Sequence, residues 1–196
     1  MTKPQLSMPA PRRVATLSPP TLAQRPLALM VSALLLSGAI STAAEAQAFP
    51  PVIQLSSLSG SDGFRLDGAA TNDFSGRSVS AAGDINGDGI GDLIVGADGA
   101  DPNGGYSGSS YVVFGQSTPF AATLALSSLS GSNGFRLDGV AAYDYSGRSV
   151  SAAGDINGDG LGDLIVGAFH AAPNGINSGS SYVVFGRDTI FSNEFE

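Results

Sequence analysis

The sequence predicts an all-β fold built from two copies of one unit. Residues 55–115 and 126–186 are the same segment twice, offset by 71 residues without a gap, and the copies differ at eleven of 61 positions. Self-similarity at a fixed period of this size is typical of propellers and solenoids, in which one unit cannot bury its own apolar face. No helical periodicity appears after residue 48, and glycines bound the short apolar runs, as expected for strands joined by tight turns.

Residues 1–48 are predicted to be a secretory signal peptide. Basic residues come first, the apolar run 27–40 follows, and small residues lead to Ala48. This order, ending in an A-x-A pattern, is typical of a cleaved signal, and we expect cleavage after Ala48, with Ala46 as the second choice. The apolar run is shorter than the roughly 20 residues of a membrane-spanning helix, which makes a membrane anchor the weaker alternative. The predicted location is therefore secreted, periplasmic or on the cell surface.

The charge balance and the lack of cysteine exclude several classes of function. The formal net charge is −8, whereas nucleic-acid binding needs a basic face. Residues 49–196 hold five arginines against sixteen Asp and Glu residues, so the charge without the leader is near −11. Self-repulsion of that size costs stability unless cations bind. Since the chain has no cysteine, a disulfide framework, a zinc–thiolate site and a thiol nucleophile are impossible.

Four short strands are predicted in each unit, which corresponds to one propeller blade. Residues 78–82 alternate loosely, and residues 92–97 form a continuous apolar run that we expect to be buried on both faces. Residues 109–114 and 64–67 complete the set, and all four strands recur 71 residues later. The prediction is thus two four-stranded antiparallel blades. The predicted domains are residues 49–125 for the first repeat, 126–187 for the second and 188–196 for a C-terminal tail.

Each unit also carries a glycine-rich loop with oxygen-bearing side chains at alternating positions. Counted from Asp84, carboxylate or amide oxygens fall at positions 1, 3, 5 and 9, and position 7 offers a backbone carbonyl. A hard cation such as Ca²⁺ requires ligands of this kind. The predicted metal ligands are Asp84, Asn86, Asp88, the Ile90 carbonyl and Asp92 in the first loop, and Asp155, Asn157, Asp159, the Leu161 carbonyl and Asp163 in the second.

Other interpretations of this loop are weaker. An EF-hand needs an acidic residue at position 12 and flanking helices, but position 12 is Val95 or Val166, inside a predicted strand. Asn-Gly and Asp-Gly also make hairpin turns without a metal, although three acids and an amide at this spacing in both copies favour metal binding. Oxygen ligands on a flexible loop favour calcium over magnesium, and zinc lacks His or Cys ligands here. We therefore predict two Ca²⁺ sites with a structural role.

Taken together, these residues resemble the FG-GAP repeat found in integrin α-subunit propellers and in many exported bacterial proteins. The matching segments are residues 74–79, 83–97 and 114–115, repeated at 145–150, 154–168 and 185–186. The resemblance implies one propeller blade per repeat and a β-hairpin calcium loop closed by the Asp at position 9. The sequence departs from the family's Gly-Ala-Pro, where Asp98 and Phe169 replace the proline. Because the chain has two repeats, and propellers typically have about four to eight blades, the predicted propeller is incomplete or is completed by oligomerisation.

Two arginines outside the loops have two interpretations. Arg77 and Arg148 follow the same Ser-Gly dipeptide in the two copies. Either they contact an anionic ligand, or they form structural ion pairs. We favour ion pairs, for which the candidate partners are Asp67 or Asp73 and Asp138 or Asp144.

The segments 98–108 and 169–179 vary most between the copies. Variable loops on a constant scaffold are where binding specificity usually lies, although drift in an unimportant loop explains them equally well. His170 is the only histidine, and Gly99 takes its place in the first copy, so we expect no catalytic role for it. No phosphate-binding loop, G-x-S-x-G or H-E-x-x-H motif is present.

The resemblance implies a binding module with no catalytic residues. The expected partner is an unidentified extracellular protein or glycan, with no nucleic acid bound and no membrane span after cleavage of the leader. FG-GAP repeats also accompany a phospholipase domain in some proteins, but this chain has no room for one. The alternative function is structural: a fragment, or a propeller completed by oligomerisation, without a ligand of its own. In that case residues 64–67 are expected to pair with residues 180–185 of a neighbouring copy.

Overall fold

A computed structural model of the chain describes residues 49–188. The predicted signal peptide and nearly all of the predicted tail lie outside these residues. The described part is all-β, as predicted, with two single-turn 3₁₀ helices at Leu55–Ser57 and Leu126–Ser128. No helix within residues 49–188 is long and apolar enough to cross a membrane. The strands are β1 (Arg65–Asp67), β2 (Ser78–Gly83), β3 (Asp92–Ala97), β4 (Ser109–Val113), β5 (Thr123–Ala125), β6 (Gly134–Asp138), β7 (Ser149–Gly154), β8 (Asp163–Ala168) and β9 (Ser180–Val184).

Four strands form an antiparallel sheet in the order β2-β3-β4-β6, which we call blade 1. Its fourth strand, β6, comes from the second copy of the repeat and not from the first. β6 pairs with β4 from Ser109 opposite Asp138 to Val113 opposite Gly134. The structural blade is therefore offset from the sequence repeat, and it joins the two copies through backbone hydrogen bonds.

The second antiparallel sheet, blade 2, contains three strands in the order β7-β8-β9. Its registers repeat those of blade 1: Leu164 lies opposite Val184 as Leu93 lies opposite Val113. Within residues 49–188, no strand pairs with the outer edge of β9. The prediction of four antiparallel strands per blade is thus confirmed for blade 1, whereas the described part of blade 2 has three.

The strand predicted at residues 64–67 has a different partner from the expected one. β1 pairs in parallel with β5, with Leu66 opposite Leu124, and the two form a separate sheet. The hexapeptide of residues 63–68 is identical to that of residues 134–139, yet only the second copy joins a blade. β6 pairs with the edge of β4, the blade strand that precedes it in the chain. Within the described residues, no strand equivalent to β4 precedes β1.

The hydrophobic core has two parts, one on each face of blade 1. The first lies between the blades, where Ile94 and Val112 of blade 1 pack with Leu164 and Val166 of blade 2. The second covers the other face of blade 1, where Val95, Tyr111 and Val113 pack with Leu126 and with partly buried residues of the β1–β5 sheet. Strand β3 is therefore covered on both faces over most of its length, as its continuous apolar run predicts.

Candidate metal loops and recognition surface

The two predicted metal loops lie at the same end of the two blades. One joins β2 to β3 and the other joins β7 to β8. In the pairing of β2 with β3, the register shifts between Ala81 and Gly83, just before the first loop. Gly83 has a φ of 74°, a value that favours glycine. The loops are neighbours, since the Gly162 N–H donates to the Asp84 carbonyl at 2.8 Å.

Asp84, the first predicted ligand, organises the turn that follows it. One carboxylate oxygen accepts the N–H groups of Gly87 and Asp88 at 2.8 and 3.1 Å, and the other accepts the Gly89 N–H at 2.9 Å. Gly87 and Gly89 have φ values of 76° and 81°, a region that costs a side chain about 1–2 kcal/mol. The glycines therefore allow the backbone to curl around this carboxylate.

The next two predicted ligands interact with each other and with the loop backbone. The Asn86 amide donates to one Asp88 oxygen at 2.9 Å, and the Ile90 N–H donates to the other at 2.8 Å. The Asp88 N–H also reaches the Asn86 side-chain oxygen at 3.1 Å. These contacts place the side chains at positions 1, 3 and 5 inside one short loop.

Asp92 connects the loop to the sheet. It is 2% exposed, and its two oxygens accept the Ile85 N–H at 2.9 Å and the Gly115 N–H at 2.8 Å. Burial raises the pKa of this carboxyl above its usual value, the two N–H groups lower it, and Asp88 and Asp84 add to the rise. The direction of this pKa shift means that keeping the buried Asp92 carboxyl ionised costs free energy, chiefly because of its burial.

The second loop repeats this arrangement. Asp155 accepts the N–H groups of Gly158 and Gly160 at 2.7 and 2.9 Å, and Asn157 donates to Asp159 at 2.7 Å. Asp163 is fully buried and accepts the N–H groups of Ile156 and Gly186 at 2.7 and 3.0 Å.

The pKa of Asp163 nevertheless shifts in the direction opposite to that of Asp92. Burial raises the pKa of Asp163, but the backbone N–H groups of Gly186, Ile156 and Asn157 more than offset this, so it lies below the usual value. The sequences of the two loops differ only where Ile90 is replaced by Leu161. The surroundings of the two loops differ more than their sequences do. Leu161 of the second loop and Asp188, which follows β9, lie close to Gly87 of the first loop.

The donor chemistry of both loops fits a hard cation, since each offers carboxylate, amide and carbonyl oxygens and no nitrogen or sulfur ligand. The side chains are not gathered around one centre, however. Among residues 49–188, no three acidic or histidine side chains are grouped closely enough to hold a metal ion. Oxygens of Asp84 and Asp92 accept backbone N–H groups instead. Calcium binding by these ten residues therefore stays a prediction.

The opposite end of the blades carries a row of aromatic rings. β3 and β2 are antiparallel, with Gly96 opposite Ser78, so the loop after β3 lies away from the metal loop. Tyr106 in that loop stacks with Tyr143 and Tyr145, at centroid distances of 6.2 and 5.4 Å. Tyr145 in turn lies 5.7 Å from Phe169 and 5.2 Å from His170. The rings of Tyr106, Tyr143, Tyr145, Phe169 and His170 form what we call the aromatic row.

Backbone conformation helps to present these rings. Tyr106, Tyr143 and Tyr145 all have positive φ values, of 56°, 67° and 53°. Such a conformation is uncommon for a bulky side chain, but their counterparts Asn72, Phe74 and Asn177 share it, with φ values of 66°, 54° and 58°, so it belongs to the backbone of the repeat. Backbone bonds hold it: Tyr143 N–H donates to Gly105 at 2.8 Å, and Tyr145 N–H donates to Tyr106 at 3.0 Å. Tyr143 remains 61% exposed.

Beside the row, two arginines share one buried carboxylate. Arg148 donates to Asp98 at 2.9 Å, and Arg77 lies 3.5 Å from the same oxygen. The second Asp98 oxygen is buried and has no hydrogen-bond partner among the described residues. The prediction of structural ion pairs is right in kind but wrong in its partners. Asp67 and Asp138 pair with Arg65 and Arg136, and Asp73 and Asp144 accept the N–H groups of Ala70 and Ala141.

Sequence reasoning identified the variable loops 98–108 and 169–179 but not the tyrosines of the segment after β6. The differences between the copies contain the signal that was missed. Tyr143 and Tyr145 replace Asn72 and Phe74, and Tyr106, Phe169 and His170 also stand at positions where the copies differ. Nearly all the aromatic variation between the copies thus collects at one end of the structure.

Comparison with known proteins identifies the repeats. Residues 75–113 match a family described as FG-GAP repeat, and residues 137–185 match another with the same description. The chain is also 35% identical over 96 residues to integrin alpha-M of Mus musculus, a match that covers 47% of this chain. That match spans only 7% of the integrin. The two matched segments contain both predicted metal loops.

Proposed function

Since this chain is an FG-GAP repeat protein, we propose that it is a calcium-stabilised module that binds an extracellular protein or glycan. Similarity to an integrin α chain and the predicted signal peptide support a location outside the cytoplasm, secreted, periplasmic or on the cell surface. The module acts by binding and not by catalysis. Its main support is that the metal loops and the aromatic row lie at opposite ends of the same β-strands.

At one end, calcium has a structural role. Asp84, Asn86, Asp88, the Ile90 carbonyl and Asp92 would hold one ion, and Asp155, Asn157, Asp159, the Leu161 carbonyl and Asp163 would hold the second. The ion supplies positive charge to loops that hold six of the carboxylates of a strongly acidic chain. Because Asp92 and Asp163 also accept the N–H groups of Gly115 and Gly186, two residues after β4 and β9 end, order in the loop is transmitted to the sheet.

At the other end, the aromatic row is the proposed recognition surface. Exposed aromatic rings offer rigid contact area at a small entropic cost and suit protein partners and the apolar faces of sugars. Arg148 extends the row, since its guanidinium lies 5.7 Å from the Phe169 ring centroid. The ring-bearing loops differ between the copies while the scaffold does not, as expected of a surface that sets specificity.

A thermal-stability experiment tests the calcium part. The purified protein should melt at a higher temperature with Ca²⁺ than with a chelator, since a ligand that binds only the folded state stabilises it. Asp84→Ala combined with Asp155→Ala should abolish the difference. Asp62→Asn is the matched control, because Asn133 occupies the equivalent position and accepts the same type of hydrogen bond. An unchanged melting temperature on adding Ca²⁺ rejects the structural role of calcium.

A binding experiment tests the recognition part separately. The protein is applied to arrays of glycans and of immobilised extracellular proteins, beside the variants Tyr143→Ala and Tyr106→Ala. We expect a ligand whose binding both variants weaken while their melting temperatures stay close to that of the parent. Val79→Ala is a suitable control, because Val79 is a similarly exposed apolar residue of β2. A ligand whose binding responds to none of the aromatic-row variants rejects this surface.

A further inference from the structure

Strand β9 has an outer edge with no strand partner among residues 49–188, although an identical sequence elsewhere in the chain has one. Residues 180–186 repeat residues 109–115 without a change. In β4 this sequence is fully covered: Tyr111 is 3% exposed and Val112 is 0% exposed. In β9 the same positions, Tyr182 and Val183, are 36% and 45% exposed. The difference arises because β6 pairs with β4, blade 2 covers Val112, and Leu126 with the β1–β5 sheet covers Tyr111.

The face of blade 2 that leads to this edge is also apolar and uncovered within the described residues. Ile156 and Phe185 are 57% and 50% exposed. Their counterparts in blade 1, Ile85 and Phe114, belong to the core between the blades. Blade 2 therefore presents the surface that blade 1 uses to contact its following blade.

The chain also contains the strand that such an edge takes. β6 lies within the hexapeptide Gly134–Gly139, which is identical to residues 63–68 around β1. In the pairing of β6 with β4, the Gly139 N–H donates to Gly108 and the Phe114 N–H donates to Asn133. The N–H and C=O groups of successive residues alternate between the two sides of a strand. Phe135 and Leu137, which lie between Asn133 and Gly139 at every second position, therefore turn their N–H and C=O groups towards β4.

The corresponding edge of β1 has no strand neighbour in the described part of the chain. The Arg65 N–H donates to the Ala122 carbonyl at 3.0 Å, so Arg65 uses the side of β1 that faces β5. Phe64 and Leu66, the counterparts of Phe135 and Leu137, therefore turn their backbone groups to the other side. Pairing with β5 leaves unoccupied the edge that β6 uses to bind β4.

The position of β1 against blade 1 is compatible with the same interaction. Leu66 packs against the cluster of Val95 and Tyr111, on the face of blade 1 that points away from blade 2. In the same way, Leu137 of β6 packs against the cluster that contains Val166 of blade 2. β1 thus stands before blade 1 as β6 stands before blade 2, in the place of an outer strand from a preceding blade.

We propose that the protein assembles head to tail, with β1 of one copy adding as the fourth strand to the β9 edge of another. The register follows from that of β6 on β4: Asp67 lies opposite Ser180, Arg65 opposite Tyr182 and Phe64 opposite Val183. Ser109 donates to Asp138 at 3.0 Å across the existing pair, and Ser180 makes the equivalent bond to Asp67 of the second copy. This self-association does not depend on the calcium or ligand proposals.

Sedimentation velocity on the purified protein over a wide concentration range tests the association. We expect discrete species larger than the monomer whose share grows with concentration. Val183→Pro should remove these larger species, because proline lacks the backbone N–H that Val183 points outward from β9. The variant should still fold, since proline is tolerated on an edge strand. Val183→Thr keeps this N–H and a β-branched side chain, and it should keep the larger species.

Disulfide trapping tests the register in a chain that has no cysteine of its own. Arg65→Cys combined with Tyr182→Cys should give covalent dimers or higher species on mild oxidation, because these positions correspond to the close, non-hydrogen-bonded pair of Arg136 and Tyr111. Phe64→Cys combined with Tyr182→Cys should give few, because a shift of one residue places the side chains on opposite faces.

Two results overturn the proposal. One is a monomer at every concentration together with no cross-linking of the Arg65→Cys, Tyr182→Cys protein. The other is a monomer that associates only when residues 189–196 are removed, which would show that the chain's own tail covers β9.

Discussion

The packing of the two blades predicts a crossed pattern of stability losses at equivalent positions of the repeat. Leu164 of β8 is fully buried between the blades, whereas its counterpart Leu93 in β3 is 39% exposed. At another position the order is reversed: Ile85 in the first copy is 3% exposed, and its counterpart Ile156 is 57% exposed. Each substitution to alanine removes the same atoms from the same local sequence, so each pair isolates the effect of blade packing.

The expected magnitudes follow from burial. Leu164→Ala and Ile85→Ala empty fully packed sites, and each should lower the free energy of unfolding by about 2–5 kcal/mol. At Leu93 and Ile156 only part of the transfer free energy is lost and no closed cavity forms, so each substitution should cost about 1 kcal/mol or less. The larger loss is therefore expected in the second copy for the Leu93 and Leu164 pair, and in the first copy for the Ile85 and Ile156 pair.

Urea unfolding followed by far-ultraviolet circular dichroism measures the four values, at a concentration where the protein is monomeric. The chain has no tryptophan, so a backbone signal is the suitable probe. Equal losses within each pair would refute the packing of blade 1 on blade 2. Losses that are larger in the same copy at both positions would instead show that one repeat is simply more stable.

Two further predictions concern the loops. Gly89→Ala should destabilise the protein by about 1–2 kcal/mol, because Gly89 has a φ of 81° with no atom near its added Cβ. Gly91→Ala should be nearly neutral by the same urea titration, because Gly91 has an ordinary φ and equally open surroundings, and equal effects would contradict the conformational explanation. Arg148→Gln should cost more than Arg77→Gln, since its contact with the buried Asp98 is shorter. Thermal melts compare the two variants, and the reverse order would show that Arg77 is the main partner of Asp98.

Much of the scaffold could be predicted because it is encoded locally. The alternating and continuous apolar runs predict β2, β3 and β4 and their copies, and the Asp and Gly spacing locates both loops. The strand at residues 64–67 shows the limit of such reasoning. Its sequence is identical to that of β6, and only the presence or absence of a neighbouring edge decides which sheet it joins.

The partners of the arginines and the aromatic row depend on longer-range contacts. Arg148 reaches Asp98 across 50 residues of sequence, so the nearby aspartates that sequence proximity favoured were the wrong choice. The aromatic row contains rings from three segments of the chain, and the packing of blade 2 beside blade 1 brings these segments together. Composition alone does not indicate that these rings lie together, although each residue of the aromatic row stands at a position where the two copies differ.

Calcium titration by calorimetry measures directly whether the two loops bind Ca²⁺. We expect two Ca²⁺ ions per chain, one ion for Asp84→Ala or Asp155→Ala alone, and none for the double variant. Asp62→Asn should still bind two. Absence of binding to the parent protein, or binding that the double variant retains in full, would show that these loops are not calcium sites.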